Sequence, residues 1–115
     1  MKRAGEIVVI QYPFSDSNQA KLRPALLLGK LPGRHDDWLV CMISSRVRQQ
    51  IVGFDDLIDM EDADFGQSGL KSTSVIRAGR LLVLEGKLLP GAIGSISTAR
   101  LQRVRSQLAA WLLKA

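Results

Sequence analysis

The chain has 115 residues, 46% of them hydrophobic, which fits one domain with an ordinary core and excludes general disorder. Lysine and arginine number 16 against 11 aspartate and glutamate, and this excess favours a polyanionic partner such as nucleic acid. No window reaches the ~20 apolar residues of a membrane span, and the single Cys41 excludes an internal disulfide framework and a cysteine-based zinc site. We therefore expect one domain, residues 1–115, in the reducing cytoplasm.

The first half of the chain predicts three strands. Glu6–Tyr12 is short and rich in β-branched residues, and Pro13 ends it. A polar loop follows, and a second strand is predicted at Ala25–Leu28. The run Trp38–Ile43 is apolar enough to be a third strand in the middle of a sheet.

Shorter strands are predicted further along, at Ile51–Phe54, Thr73–Arg77 and Arg80–Glu85. Between the first two of these, residues 55–64 hold most of the acidic side chains. Their spacing matches no EF-hand loop, so a solvated acidic surface loop is expected there rather than a metal site.

The end of the chain predicts a helix over Thr98–Leu113, which contains no glycine or proline, with Ser97 as its N-cap. Apolar residues recur there at helical spacing, namely Leu101, Val104, Leu108, Trp111 and Leu112. The helix is apolar on more than one face near its end, which favours a partner surface, with a homodimer as the first candidate. The predicted fold class is mainly β with a C-terminal helix, as a small curled sheet or barrel.

Two short segments are candidates for chemistry. Pro24 restricts Arg23 to an extended conformation, and a guanidinium held in this way can bind a phosphate through two parallel hydrogen bonds. Ser44, Ser45 and Arg46 follow the predicted central strand, whose rigid end can aim a hydroxyl at a ligand. A surface arginine and turn-forming serines would explain the same residues without a function.

His35 is the only histidine, and its neighbours predict an exposed loop tip rather than an acid/base site. A triad built from His35, Ser74 and an aspartate lacks the Gly-x-Ser-x-Gly elbow and is set aside. We expect neither a metal nor a cofactor.

Taken in order, several segments resemble the MazF/PemK family of toxin–antitoxin endoribonucleases. These segments are Gly5–Asp16, Lys21–Leu28, Val40–Ser45, Asp64–Lys71, Ser74–Arg77 and Ile93–Ser97. The resemblance implies a small SH3-like barrel with a C-terminal helix. It also implies a homodimer that cuts single-stranded mRNA at short sequences and is inhibited by a cognate antitoxin.

The same resemblance assigns roles to individual residues. It implies that Arg23 and Ser44 are catalytic, with Ser44 at a position where many members have threonine. With these two residues at the cut, we expect Asp16, Lys21, Ser45, Arg46 and Arg48 to bind the RNA, and Asp16 is also a candidate for the general base.

Two other functions stay open. CcdB-type toxins have a similar fold and poison DNA gyrase through the end of the C-terminal helix, where this chain has Trp111. A barrel that binds nucleic acid without cutting it is the third candidate. The Arg23-Pro24 and Ser44-Ser45 pairs favour the nuclease.

Overall fold

The computed structural model describes residues 2–12 and 21–115, and the backbone alone at Tyr12. In chain order the elements are β1 (Glu6–Tyr12), β2 (Lys21–Lys30), β3 (Asp37–Ser44), a 3-10 turn (Val47–Gln49), β4 (Asp56–Ile58), α1 (Phe65–Ser68), β5 (Ser74–Glu85), a second 3-10 turn (Gly86–Leu88), β6 (Gly94–Ser95) and α2 (Thr98–Lys114). The strands form one antiparallel sheet in the order β4-β5-β3-β2-β1-β6, curled into a half-barrel. The mainly-β fold with a C-terminal helix is confirmed. Across the described residues, no helix has the length and apolar character needed to cross a bilayer.

Apolar side chains pack on both faces of the sheet because successive residues of a strand point to opposite sides. On one side, which we call the helix face, Leu26, Cys41 and Ile43 pack beneath α2. On the other side, which we call the second face, a separate cluster contains Val8, Ile10, Ala25, Leu27, Trp38, Val40 and Leu89. Burial on both sides explains why β3 has a continuous apolar sequence.

The helix α2 begins where the sequence predicts it. Ser97 is the N-cap, and its Oγ accepts a hydrogen bond from the backbone N–H of Arg100 at 3.1 Å. Leu101, Val104 and Leu108 are buried against the sheet. Trp111 lies past this contact and is 51% exposed, with its ring 5.5 Å from that of Phe54 between centroids.

Two predictions for the middle of the chain are wrong. Ile51–Phe54 is a turn rather than a strand, and Gly53 has the positive φ of 85° that such a turn uses. The acidic stretch is not a solvated loop throughout, since Asp56 belongs to strand β4 and its side chain is buried, as is that of Asp64.

Burial of these carboxylates is explained by Arg100 of α2, which is only 5% exposed. Its guanidinium donates to Asp64 at 2.9 Å from both Nε and Nη2, to Asp56 at 2.7 Å, and to Asp62 at 2.8 Å. These hydrogen bonds from Arg100 hold the pKa of the Asp64 carboxyl well below its ordinary value. We call Arg100, Asp56, Asp62 and Asp64 the Arg100 cluster; it attaches α2 to the edge of the sheet.

The predicted strands Thr73–Arg77 and Arg80–Glu85 are one long strand, β5, that contains an irregularity. Its register with β3 shifts between Arg77, which pairs with Met42, and Leu81, which pairs with Cys41. Residues 78–80 are therefore extra on β5 and form a bulge.

Candidate functional site

The predicted site residues that the structure describes lie together at one end of the sheet. Strands β2 and β3 are antiparallel, so the start of β2 lies beside the end of β3. Lys21 and Arg23 are at the start of β2, and Ser44, Ser45, Arg46 and Arg48 are at or just after the end of β3. Asp16 is outside the described residues, so its predicted role stays a prediction.

The hydrogen-bonded ladder between these two strands ends before they do. Its last pair at this end is Ala25 with Met42, although β2 continues beside β1 to Lys21 and β3 continues beside β5 to Ser44. Pro24 is the residue at this point, and it has no backbone N–H to donate to a neighbouring strand. Each strand end is therefore held by its outer neighbour. We call residues 21–24 and 43–46 the β2–β3 junction.

Arg23 and Ser44 are on the same face of the sheet. Arg23 alternates with Ala25 along β2, and Ser44 alternates with Met42 along β3; Ala25 and Met42 both belong to the second face. Arg23 and Ser44 are each two residues beyond the last β2–β3 pair, Ala25 with Met42, and are thus the next residues of the second face past the end of the ladder. One phosphate bound at the junction could therefore be contacted by both side chains.

The Ser44 hydroxyl is fixed by the backbone that follows it. Ser44 is 7% exposed, and its Oγ accepts a hydrogen bond from the N–H of Arg46 at 3.1 Å. This contact uses a lone pair of the oxygen and leaves the hydroxyl proton for a second partner. Ser44 is therefore a positioned hydrogen-bond donor.

The surroundings of the junction carry positive charge. Arg23 is half-buried, whereas Lys21, Arg46 and Arg48 are exposed. Exposed cations beside a half-buried one suit a phosphate backbone that runs across the surface.

His35 lies far from the junction. It is exposed in the turn before β3, while Ser44 ends that strand, roughly 23 Å away at 3.3 Å per residue. A cavity at that end is lined by His35, Asp36, Asp37, Glu85, Gly86 and Lys87. Among residues 2–12 and 21–115, no three His, Cys, Asp or Glu side chains converge as a metal-ligand group.

A comparison with models of known protein families identifies the family of this chain. The model of the PemK-like, MazF-like toxins of type II toxin–antitoxin systems matches residues 3–112. The chain belongs to this family.

Solved structures agree with the MazF-like fold. An endoribonuclease in complex with its cognate antitoxin, from a mycobacterial species, is similar with a TM-score of 0.67 and 14% identity, over 97% of this chain and 95% of that one. The Mycobacterium tuberculosis toxin MazF-mt6 is similar with a TM-score of 0.65 and 18% identity, over 91% and 93%. At such identities the likeness shows the fold alone. No curated protein matches the chain.

The MazF-like fold also brings to the junction residues that no sequence pattern marked as functional. Arg77 pairs with Met42 across the sheet and is therefore on the second face, beside Ser44. Its polar partners are Gln49 and Asp55. In the sequence, Arg77 is marked only by its position in the family-like segment Ser74–Arg77. Asp55 is not distinguished from the other acidic residues of the 55–64 stretch.

Proposed function

We propose that this MazF-like toxin is a metal-independent endoribonuclease that cuts single-stranded mRNA at the β2–β3 junction and so inhibits growth. The observation that supports it is the position of Arg23 and Ser44 on one face, at adjacent strand ends where the β2–β3 ladder has stopped beside Pro24. In this arrangement a cation and a hydroxyl donor could together stabilise the negative charge on the oxygens of one phosphodiester.

RNA brings its own nucleophile, the 2′-hydroxyl. Attack of this oxygen on the adjacent phosphorus breaks the bond to the 5′ oxygen, leaving a 2′,3′-cyclic phosphate and a 5′-hydroxyl. The attacking 2′-hydroxyl loses its proton and the departing 5′ oxygen gains one, so the step consumes no net proton. The protein then has to hold the attacking and leaving oxygens in line and stabilise the added negative charge. No protein nucleophile is needed.

Arg23 supplies the positive charge for the phosphate oxygens, which a guanidinium can contact through two parallel hydrogen bonds. Ser44 donates its hydroxyl proton to a phosphate oxygen, while the Arg46 N–H keeps the Ser44 oxygen in place. Removal of one such donor typically lowers the rate by about 10²–10³.

The exposed residues around the junction would hold the RNA on either side of the cut. Lys21, Arg46 and Arg48 are placed for phosphate contacts, which position a strand but do not read its sequence. Ser45 is exposed and can accept or donate a hydrogen bond to a base or a ribose.

Three further parts of the proposal follow from the family and the surface. We expect inhibition by a cognate antitoxin, as the mycobacterial complex is one of an endoribonuclease with its antitoxin. An acidic segment of the antitoxin would compete with RNA for the positive junction.

We also expect a homodimer, which is supported by the exposed apolar end of α2 at Trp111, Leu112 and Leu113. We expect the protein to act in the cytoplasm, where mRNA is translated.

The test is incubation of the purified protein with a long RNA in excess EDTA, followed by analysis of the product ends. We expect 5′-hydroxyl and 2′,3′-cyclic phosphate ends, cutting that is slower by about 10²–10³ in Arg23→Ala, and normal cutting by Trp111→Ala. A single 2′-deoxy substitution at a mapped site should abolish cleavage there. Intact RNA together with gyrase-dependent DNA breaks would instead support the CcdB-like function, and RNA binding without either would support an inactive barrel.

A further inference from the structure

Arg77 links a buried carboxylate, that of Asp55, to the exposed side chain of Gln49 in the turn that follows Ser44. The Arg77 Nε lies 3.0 Å from the Asp55 carboxylate, with the two side chains 12% and 1% exposed. The Nε of Arg77 is buried and the contact is an ion pair rather than an aligned hydrogen bond. A charge so deeply buried persists only when it is paired.

Asp55 is itself held rigidly. Its two oxygens accept hydrogen bonds from the backbone N–H of Ile51 at 2.9 Å and of Ala78 at 3.1 Å. Ala78 belongs to the bulge of β5, whose backbone lacks regular ladder partners. The carboxylate therefore fixes both the bulge and the Arg77 side chain.

The other end of the Arg77 side chain reaches the segment that follows Ser44. The Nη1 of Arg77 donates to the Oε1 of Gln49 at 2.9 Å, and Gln49 ends the 3-10 turn that Arg46 begins as its N-cap. The N–H of Arg46 is the group that holds the Ser44 hydroxyl. A continuous set of contacts thus leads from Asp55, through Arg77 and Gln49, to Ser44.

We propose that Arg77 is a positioning residue for RNA cleavage, which holds the 46–49 segment so that Ser44 is aimed at the scissile phosphate. This inference rests on the proposed endoribonuclease function. Most of the Arg77 side chain is buried, and its polar contacts run to Asp55 and Gln49. Arg77 acts through Ser44 and adds no phosphate contact of its own.

The sharpest test changes Gln49, because Gln49→Met has a similar length and leaves the buried Asp55–Arg77 pair intact. We expect kcat to fall by about tenfold or more, as displacement of a catalytic group by about 1 Å can cost 10² in rate. The KM for RNA and the salt dependence of binding should stay unchanged. Gln49→Glu restores an acceptor for Arg77 and should recover kcat, with a higher KM from the added negative charge. Gln50→Met, the same change one residue later, is the matched control and should have the wild-type kcat.

Arg77→Met and the double variant with Gln49→Met test whether the two residues act together. Arg77→Met should lower kcat at least as much as Gln49→Met, and the double variant should be no slower than Arg77→Met alone. A direct phosphate contact would instead reduce the slope of log K against log salt by about 1. That reduced slope, or a kcat loss that disappears when only folded protein is counted, overturns the positioning role.

Amide exchange at Arg46, measured by NMR, separates this inference from the proposed function. Gln49→Met should speed exchange of the Arg46 N–H by roughly threefold to tenfold, the effect of losing one hydrogen bond, while Gln50→Met should not. If the wild-type protein cuts no RNA, the proposed function is wrong, and the positioning role in cleavage falls with it. If RNA is cut but Arg46 exchange and kcat are unchanged in Gln49→Met, only the role of Arg77 is wrong.

Discussion

Replacement of Arg100 is the clearest test of how the helix is attached to the sheet. Arg100→Met keeps an unbranched apolar side chain at a position that is 5% exposed, but removes the hydrogen bonds that Arg100 donates to Asp56, Asp62 and Asp64. Asp64 is 6% exposed, and the hydrogen bond that it accepts from the Ser97 N–H would remain. The variant therefore leaves a buried carboxylate without its counter-charge.

The expected cost is about 3–5 kcal/mol in the free energy of unfolding, the range measured when one partner of a buried ion pair is removed. At about 4 °C per kcal/mol for a domain of this size, the Tm should fall by roughly 12–20 °C. Arg103→Met is the matched control, because Arg103 also contacts Asp56 but its side chain is 49% exposed. An exposed ion pair is worth at most about 1 kcal/mol, so its Tm should fall by roughly 4 °C or less.

The pH dependence of this effect has a definite sign. Hydrogen bonds from Arg100 put the folded pKa of Asp64 below its unfolded value, which is about 3.9. The stabilisation is therefore fully present above about pH 5 and is lost as the pH falls through the folded pKa. The gap between wild type and Arg100→Met should be largest at pH 7 and shrink as the pH falls toward 3, because protonation of the uncompensated Asp64 relieves the variant before it affects the wild type.

Thermal and urea unfolding followed by circular dichroism at pH 7, 5 and 3 measure these differences. Equal melting temperatures for Arg100→Met and Arg103→Met at pH 7 would refute the proposed role of the Arg100 cluster. A gap between wild type and Arg100→Met that persists unchanged at pH 3 would refute its electrostatic explanation.

Further predictions concern the helix cap and the junction. Ser97→Ala removes the N-cap oxygen and should cost about 1 kcal/mol in thermal unfolding, whereas an unchanged Tm would show that the cap contributes nothing. Ser44→Thr keeps the hydroxyl and should cut RNA, while Ser44→Ala should lose about 10²–10³ in rate; equal rates would remove the hydroxyl from the mechanism. Arg48→Ala should weaken RNA binding for all sequences and lower the salt slope by about 1, and an unchanged slope would exclude a phosphate contact.

Local patterns in the sequence were enough to predict the regular elements that depend on their own residues. Strand β1 has the predicted bounds because its β-branched composition favours a strand. Helix α2 begins where predicted because Ser97 caps it, and it extends one residue past its predicted end. The second strand is longer than predicted and includes Pro24, which is tolerated because the ladder to β3 stops beside it.

Elements that depend on distant partners were not predictable in this way. Asp56 looked like part of a solvated loop, but it is buried because Arg100, far along the chain, pairs with its carboxylate. Ile51–Phe54 has strand-like composition, yet Gly53 turns the chain there and Phe54 packs on Trp111 instead.

In the candidate site, too, local sequence indicates some residues, whereas contacts between distant segments determine others. Arg23 and Ser44 were selected from their neighbours in sequence and from family resemblance. Their placement on one face follows from a register that only the folded sheet defines. Gln49, Asp55 and Arg77 were not selected, because their contacts join three separate segments.

A double-mutant cycle on Arg23 and Ser44 tests the catalytic site most sharply, with the cleavage rate of one mapped RNA site measured under single-turnover conditions in EDTA. If Arg23 and Ser44 act on the same phosphate, the rates of Arg23→Ala and Ser44→Ala should each fall by about 10²–10³, and the double variant should be little slower than the worse single variant. Losses that multiply in the double variant would show independent roles at separate places. A wild-type rate in either single variant would contradict the assignment of the β2–β3 junction as the catalytic site.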